Sequence, residues 1–192
     1  MSIVISNLSK AFQGKPVLQD FSLTLYNGSR ICLMAPSGAG KTTLLRILMG
    51  LEKPDSGTIA GLKGIPIGVV FQEDRLCEAL GPVRNVALAC RRPQTEIEQA
   101  LTELLPEHCL YQPVRELSGG MRRRVALCRA MLSPGQVLLL DEPFTGLDDA
   151  NRAVACRFVL AHLAGRTLLV VTHQREDAAH LDATLVTFQK EA

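Results

Sequence analysis

A chain of 192 residues has room for one domain, or for one domain with an inserted lobe, and can bury roughly 70% of its unfolded surface without a disulfide or a metal. Its 47% hydrophobic and 21% charged residues exclude a wholly disordered chain. Lys and Arg number 21 against 19 Asp and Glu, and the resulting charge of +2 directs the chain to neither nucleic acid nor an anionic membrane surface.

The first ten residues, MSIVISNLSK, carry no basic n-region and no long apolar h-region, so no secretory signal is expected. Residues 3–6 and 21–25 alternate apolar and polar side chains, as half-buried strands do. Asn27-Gly28 is a turn signal before the short apolar run 30–34, which stops at a glycine-rich loop. From Thr42 the pattern TTLLRILMG predicts a helix closed by Gly50. Pro54-Asp55-Ser56-Gly57 reads as a turn and residues 67–71 (IGVVF) as a buried strand.

Residues 73–117 differ in character, with Pro82, Pro93, Pro106 and Pro113 among short amphipathic segments. In one segment Thr95 is placed to cap a helix, Glu98 to close a capping box, and Ile97, Ala100, Leu101, Leu104 and Leu105 share a face. This stretch reads as a small inserted helical lobe. After it come a basic helix (120–132), a strand (137–140), a helix (about 149–163), a strand (167–171), a helix (about 176–180) and a last strand (183–188). Alternating strands and helices imply an α/β fold with a mostly parallel sheet covered on both faces. The expected organisation is a single domain over 1–192, with a core of 1–72 and 118–192 and the helical lobe at about 73–117. No apolar run approaches the roughly 18 to 20 residues that span a bilayer. The cysteines at 32, 77, 90, 109, 128 and 156 form no CxxC pair and are expected as reduced thiols that mostly pack as small hydrophobes.

The glycine-rich loop carries the first chemical signal. Ala35, Pro36, Ser37, Gly38, Ala39, Gly40, Lys41, Thr42 and Thr43 follow a strand and open a helix, the setting of a phosphate-binding P-loop. Gly38 and Gly40 let backbone N–H groups turn around an anion, and the helix N-terminus adds its positive dipole end. Lys41 can reach the β- and γ-phosphates, the Thr42 hydroxyl suits Mg²⁺, and Thr43 reaches the α-phosphate side. Ala35 stands where the motif has its first glycine, so some backbone strain is expected there.

A second signal is the apolar run 137–140 ending in Asp141-Glu142. In a parallel sheet that end faces the ligand crevice, so Asp141 is suited to orient Mg²⁺ and Glu142 to act as general base on a water. Ser118, Gly119 and Gly120 lie at the start of the basic helix, where they read either as an ordinary serine-capped helix start or as a second anion-binding corner. One P-loop with two phosphate-reading corners suits two chains facing head to tail. The arginines at 122, 123 and 124 read as a solvated helical face, with no nucleic acid expected.

Together these motifs resemble the ATP-binding cassette (ABC) ATPases over nearly the whole chain. APSGAGKTT is similar to Walker A, VVFQEDRL carries the Q-loop Gln72, LSGGM resembles the signature, VLLLDEP resembles Walker B with Gly146-Leu147-Asp148 as a D-loop, and His173 matches the switch histidine. FQEDRL, Asn85-Val86 and LSGGM before a run of arginines look most like importer ATPases of the nitrate, sulfonate and taurine group. The resemblance implies a P-loop NTPase (RecA-like) core with antiparallel N-terminal strands. It implies ATP and Mg²⁺ as cofactors, with Phe12 stacking on adenine beside Val17, and Thr42, Gln72 and Asp141 serving the metal. Glu142 would polarise the attacking water, His173 would contact the γ-phosphate, Asp148 would link the two sites across the dimer, and Ser118, Gly119 and Gly120 would close the partner's site. The implied activity is ATP hydrolysis coupled to transport by a homodimer or paired cassette. It would be docked on an integral membrane permease at the cytoplasmic face of the membrane, with an external solute-binding protein in the complex. An ABC exporter ATPase and a soluble, non-transport ABC ATPase are the alternatives.

Overall fold

The structure, a computed structural model, describes residues 2–36 and 38–188. Two sheets share the load. The first is antiparallel, order β2-β1-β4, built from β1 (Ile3–Phe12), β2 (Lys15–Leu25) and β4 (Ser56–Ala60). The second is fully parallel, order β5-β6-β7-β3-β8, from β3 (Arg30–Met34), β5 (Ile67–Val70), β6 (Val137–Asp141), β7 (Thr167–Thr172) and β8 (Thr184–Thr187). β6 and β7 are buried at every position, which is why their sequences run apolar instead of alternating.

The helices are α1 (Lys41–Leu48), α2 (Pro82–Ala87), α3 (Gln94–Thr102), α4 (Gly119–Leu132), α5 (Asp149–His162) and α6 (Glu176–His180). The apolar interior divides between the two sides of the parallel sheet. Leu44, Leu45 and Leu48 of α1 join Ile5, Leu18, Phe21, Leu33 and Leu139 in one cluster. Val125, Leu127 and Met131 of α4 and Phe158 of α5 join Leu138, Leu140 and Val170 in the other, which runs on into Ile97, Leu101 and Leu104. Successive residues of one strand therefore feed opposite clusters, the period-two rule of a sheet.

Several sequence expectations need correction. Ser56 and Gly57, read as a turn, already belong to β4, which pairs with β1 through Val4–Ala60 and Ile5–Ile59. The first two strands are longer than their alternating cores, because the β1–β2 hairpin extends past the apolar positions to Phe12–Lys15. Thr95 does not cap its helix: α3 starts at Gln94 after Pro93, and Glu98 accepts a hydrogen bond from Gln94 and pairs with the Tyr111 hydroxyl. The apolar face is as expected, with Ile97, Ala100, Leu101, Leu104 and Leu105 all buried. Ala35 is buried and its φ is not positive; among the described residues of the loop the positive φ values fall on Gly38 and Gly40, so the expected strain is absent at Ala35. Cys32, Cys109, Cys128 and Cys156 are buried free thiols.

Arg166 closes the far ends of two helices. Its guanidinium donates to Met131 O at 2.8 Å, Ser133 O and Gly135 O at 3.3 Å, Leu163 O at 2.9 Å and His162 O at 2.5 Å. These include last-turn carbonyls of α4 and α5 that have no intrahelical donor. Arg166→Ala is expected to lower unfolding stability by about 1–3 kcal/mol, and Arg166→Lys to recover less than half, because an ammonium cannot fork across five acceptors. Urea midpoints of the three proteins measure this.

Candidate functional site

The register of the parallel sheet gathers the polar ends. Asp141 pairs with Val171, Leu33 with Val171, and Met34 with Thr172, so β6, β7 and β3 finish side by side. Asp141 and Glu142 leave β6, His173 leaves β7, and the P-loop leaves β3. A cleft of about 320 Å³ opens there, lined by Val17, Gly38, Gly40, Lys41, Thr42, Thr43, Gln72, Asp141 and Glu142.

Gly40 is required by space as well as by its φ of 86°: a Cβ there would stand 2.6 Å from Val17 O and 2.9 Å from Leu18 Cδ2. The loop therefore lies directly on β2. Lys41 Nζ donates to Ala35 O at 2.7 Å and Pro36 O at 3.2 Å, holding the loop closed on itself. It also stands 3.9 Å from Glu142 Oε1. Thr42 Oγ1 donates to Asp141 Oδ2 at 3.0 Å, joining the loop to β6. Asp141 is 5% exposed, and burial pushes its carboxyl above the usual range against the opposing pull of Thr42. The Thr42 hydroxyl, the Asp141 carboxylate and the Gln72 amide are hard oxygen donors around one cleft, a set that fits Mg²⁺.

Glu142 has φ of 49°, uncommon for a residue with a Cβ, and costs about 1–2 kcal/mol locally. Its N–H donates to Val171 O at 2.8 Å. The kink turns the side chain out of the strand path, and His173 Nδ1 lies 2.7 Å from Glu142 Oε2. Thr172 Oγ1 donates to the buried Asp177 at 2.5 Å and accepts from Gln174 N at 3.1 Å, which orders the turn carrying His173.

Other expected site residues stand apart. Phe12, 44% exposed at the end of β1, does not line the cleft; its ring lies 5.2 Å from Lys10 Nζ. Ser118, Gly119 and Gly120 begin α4 away from the cleft lining, and Ser118 Oγ caps the helix by accepting from Met121 N at 3.3 Å. A Cβ on Gly120 would meet Leu147 Cδ2 at 3.2 Å, so this corner packs on the Gly146-Leu147 turn. Asp148 caps α5, its carboxylate accepting from Asn151 N at 2.8 Å and Asn151 Nδ2 at 2.9 Å. Ser37 lies outside the described residues.

Arg123 and Arg124 of the arginine triplet do not lie on a solvated face. Arg123 is 8% exposed; it donates to Phe71 O at 2.7 Å and to Gln72 O, and faces Asp74 Oδ1 at 3.2 Å. Arg124 donates to Gly120 O and Leu104 O, and Arg129 to Asp74 O and Arg75 O. Arg123 lies four and eight residues before the buried Leu127 and Met131, a helical spacing that already placed it on the apolar stripe. Asn85 is likewise fully engaged: Oδ1 accepts from Cys77 N at 2.8 Å, and Nδ2 donates to Cys77 O, Leu80 O and Gly81 O. It holds the chain after Gln72 against α2.

A P-loop on a parallel sheet, facing an acidic strand end, defines a nucleotide-binding protein. A family model described as "ABC transporter" matches residues 18–145. The sulfate/thiosulfate import ATP-binding protein CysA 2 of Rhizobium meliloti strain 1021 is 39% identical over all of this chain and 58% of its own length. The spermidine/putrescine import ATP-binding protein PotA of Marinobacter nauticus is 37% identical over 96% of this chain and 54% of its own. The chain thus spans little more than half the length of these relatives. The dimeric structure of MJ0796, a bacterial ABC transporter cassette, superposes with a TM-score of 0.81 at 26% identity, over 96% of this chain and 94% of that one. A post-hydrolysis state of the same cassette, bound to ADP and phosphate, shows the same fold with a TM-score of 0.84 at 24% identity, over 97% of this chain and 94% of that one. This chain belongs to the ABC transporter family and is an ATP-binding domain of it.

The Asp148 cap predicts a pH dependence. Hydrogen bonds from the Asn151 backbone and side chain hold its carboxyl below the usual range. A depressed folded-state value means stability that is present above the unfolded value and lost as pH falls through the folded one. Asp148→Asn keeps a capping oxygen but cannot titrate. The difference in urea midpoint between the two proteins is expected to shift against the parent as pH falls from about 6 to below about 4.

Proposed function

We propose that this chain is the ATP-hydrolysing, energy-coupling part of an ABC importer for a small solute, working as a head-to-tail dimer on a membrane permease. The observation that carries the reading is the joining of Thr42 to Asp141 across the cleft, with Glu142 turned out of its strand between Lys41 and His173. The P-loop amides and Lys41 would hold the phosphates. Thr42, Asp141 and Gln72 would hold Mg²⁺, whose charge neutralises the phosphate oxygens when it is bound. Glu142 would accept the proton of the attacking water, and His173 Nδ1 would keep that carboxylate aimed and its position fixed. Phe12 would stack on adenine with Val17 beside it. Most of the rate would come from positioning and charge, which these residues supply without covalent chemistry.

Dimerisation is supported by incompleteness. Ser118, Gly119 and Gly120 form a helix N-terminus outside the cleft of their own chain, and a second copy turned head to tail would bring them to its γ-phosphate. Asp148 would then face the partner's site. The organisation supported by the fold is one cassette, a core of 1–72 and 118–192 with a helical lobe at about 73–117. The segment after Gln72, held by Asn85, Arg123 and Arg129, would receive a cytoplasmic helix of the permease and place the chain peripherally on the inner membrane face. No helix among the described residues is long and apolar enough to cross a membrane, so the membrane part would be supplied by another segment or chain. Import is supported by the relatives' names. Their printed solutes include sulfate, a polyamine and ferric ion, differing in sign and size, so selectivity would reside in the permease and an external solute-binding protein, not in this cassette.

Glu142→Gln is expected to lower ATP turnover by about 10²–10⁴-fold while trapping a dimer with ATP bound, read by phosphate release and size-exclusion chromatography. Turnover at the parent rate would remove Glu142 from the mechanism. Affinity capture of the full-length protein from detergent-solubilised membranes is expected to recover an integral membrane protein; recovery of ribosomes or DNA alone would overturn the transport reading.

A further inference from the structure

We propose that Cys156, Asp177 and His180 form a binding site for a divalent cation of the zinc class, set behind the turn that carries His173. Cys156 comes from α5, and Asp177 and His180 lie three residues apart on α6. One ligand atom from each lies within 4.8 Å of the other two. A small convergence brings them around one ion at about 2.3 Å from sulfur and about 2.0–2.2 Å from nitrogen and oxygen. A thiolate, an imidazole and a carboxylate together suit Zn²⁺ or Co²⁺, whereas Mg²⁺ and Ca²⁺ take oxygen ligands. His180 is exposed and gives the ion an entry path and a fourth position open to water, while Cys156 and Asp177 close the inner side.

A second observation points to the same place. Asp177 is 2% exposed. Its Oδ2 accepts from Thr172 Oγ1, but its Oδ1 is buried without a hydrogen-bond partner among the described residues. Such an oxygen costs free energy that a cation would return. Burial holds the Cys156 thiol up at about 12 and raises the Asp177 carboxyl, so binding releases the thiol proton to solvent. Arg152 of α5 is the competing charge; its Nε is also buried without a partner among the described residues, and it acts electrostatically on Asp177. The site has a mechanical consequence. Asp177 holds Thr172, and Thr172 holds Gln174 N, so a cation on Asp177 braces the turn of His173. The site stands independently of ATP hydrolysis.

The test is titration of the reduced, chelator-free full chain with Co²⁺, followed by absorbance. The expected result is one equivalent bound, with the visible bands of a four- or five-coordinate ion and a near-ultraviolet thiolate-to-cobalt band, all displaced by Zn²⁺. Cys156→Ser is expected to remove the near-ultraviolet band, and His180→Ala, at an exposed position that leaves the fold intact, to weaken binding at least about tenfold. Cys77→Ser, at the exposed thiol, is expected to change nothing. Urea midpoints confirm that each variant is folded. Absence of a one-to-one complex in the parent chain would overturn the site and leave Asp177 to Arg152. A band that survives Cys156→Ser and disappears in Cys77→Ser would overturn it equally.

Discussion

The parallel ladder that joins β6, β7 and β3 is the constraint on which the rest of the molecule depends. Three strands in register must end together, and their ends carry Asp141 and Glu142, His173 and the P-loop. No contact between these residues is specified locally along the chain; Thr42 and Asp141 are 99 positions apart and meet at 3.0 Å. The apolar runs of β6 and β7 hold the ladder by burial on both faces, at roughly 25 cal/mol for each Å² of apolar surface removed from water. The site's precision is therefore a by-product of the core, and a slip of β7 by one residue would turn Val171 and Thr172 to opposite faces and carry His173 away from Glu142.

α4 does more than cover the sheet. One end begins at Ser118, which caps it, and rests on Leu147 through Gly120. Its middle sends Arg123 and Arg129 to the carbonyls of Phe71, Gln72, Asp74 and Arg75. Its far end is tied to α5 by Arg166. The Ser118-Gly119-Gly120 corner at its start and the Gln72 segment are thus fastened to one helix. The Gln72 segment is held to that helix by charged hydrogen bonds from Arg123 and Arg129, which are stronger than neutral ones. In the two-chain arrangement proposed above, this helix would connect the half-site offered to a partner with the segment that meets the membrane protein.

The cleft also shows how a stable fold tolerates costly groups. Asp141 and Asp177 are both buried carboxylates raised by desolvation, and each is partly relieved by one threonine hydroxyl. Glu142 sits in a backbone conformation that a side chain rarely adopts. These unfavourable features lie at or just behind the three strand ends, where the cations and phosphates proposed above would act on them. The apolar clusters on either side supply the stability that keeps them in place.

Much was legible in the chain itself. The run 137–140 before Asp141-Glu142 reads as a buried strand end and the glycines around Lys41 as a P-loop, because both are short local patterns, and the structure brings them to one cleft. The amphipathic face of Ile97, Ala100, Leu101, Leu104 and Leu105 was legible as well, since helical periodicity is local. Four things were decided only in three dimensions. β4 was hidden because Pro54-Asp55-Ser56-Gly57 is a turn signal and SGTIA has one partly buried apolar side chain; its strand exists because β1 offers it an edge. The helical spacing of Arg123 places it on the apolar stripe, but its acceptors are backbone carbonyls of residues 71 and 72, which no pattern of side chains shows. Asp148 took up a capping duty set by where α5 begins, whereas the Ser118 cap of α4 was legible in the chain. The pairing of Glu142 with His173, and the meeting of Cys156, Asp177 and His180, depend on strand order, and strand order is a property of long-range packing that no short stretch of sequence encodes.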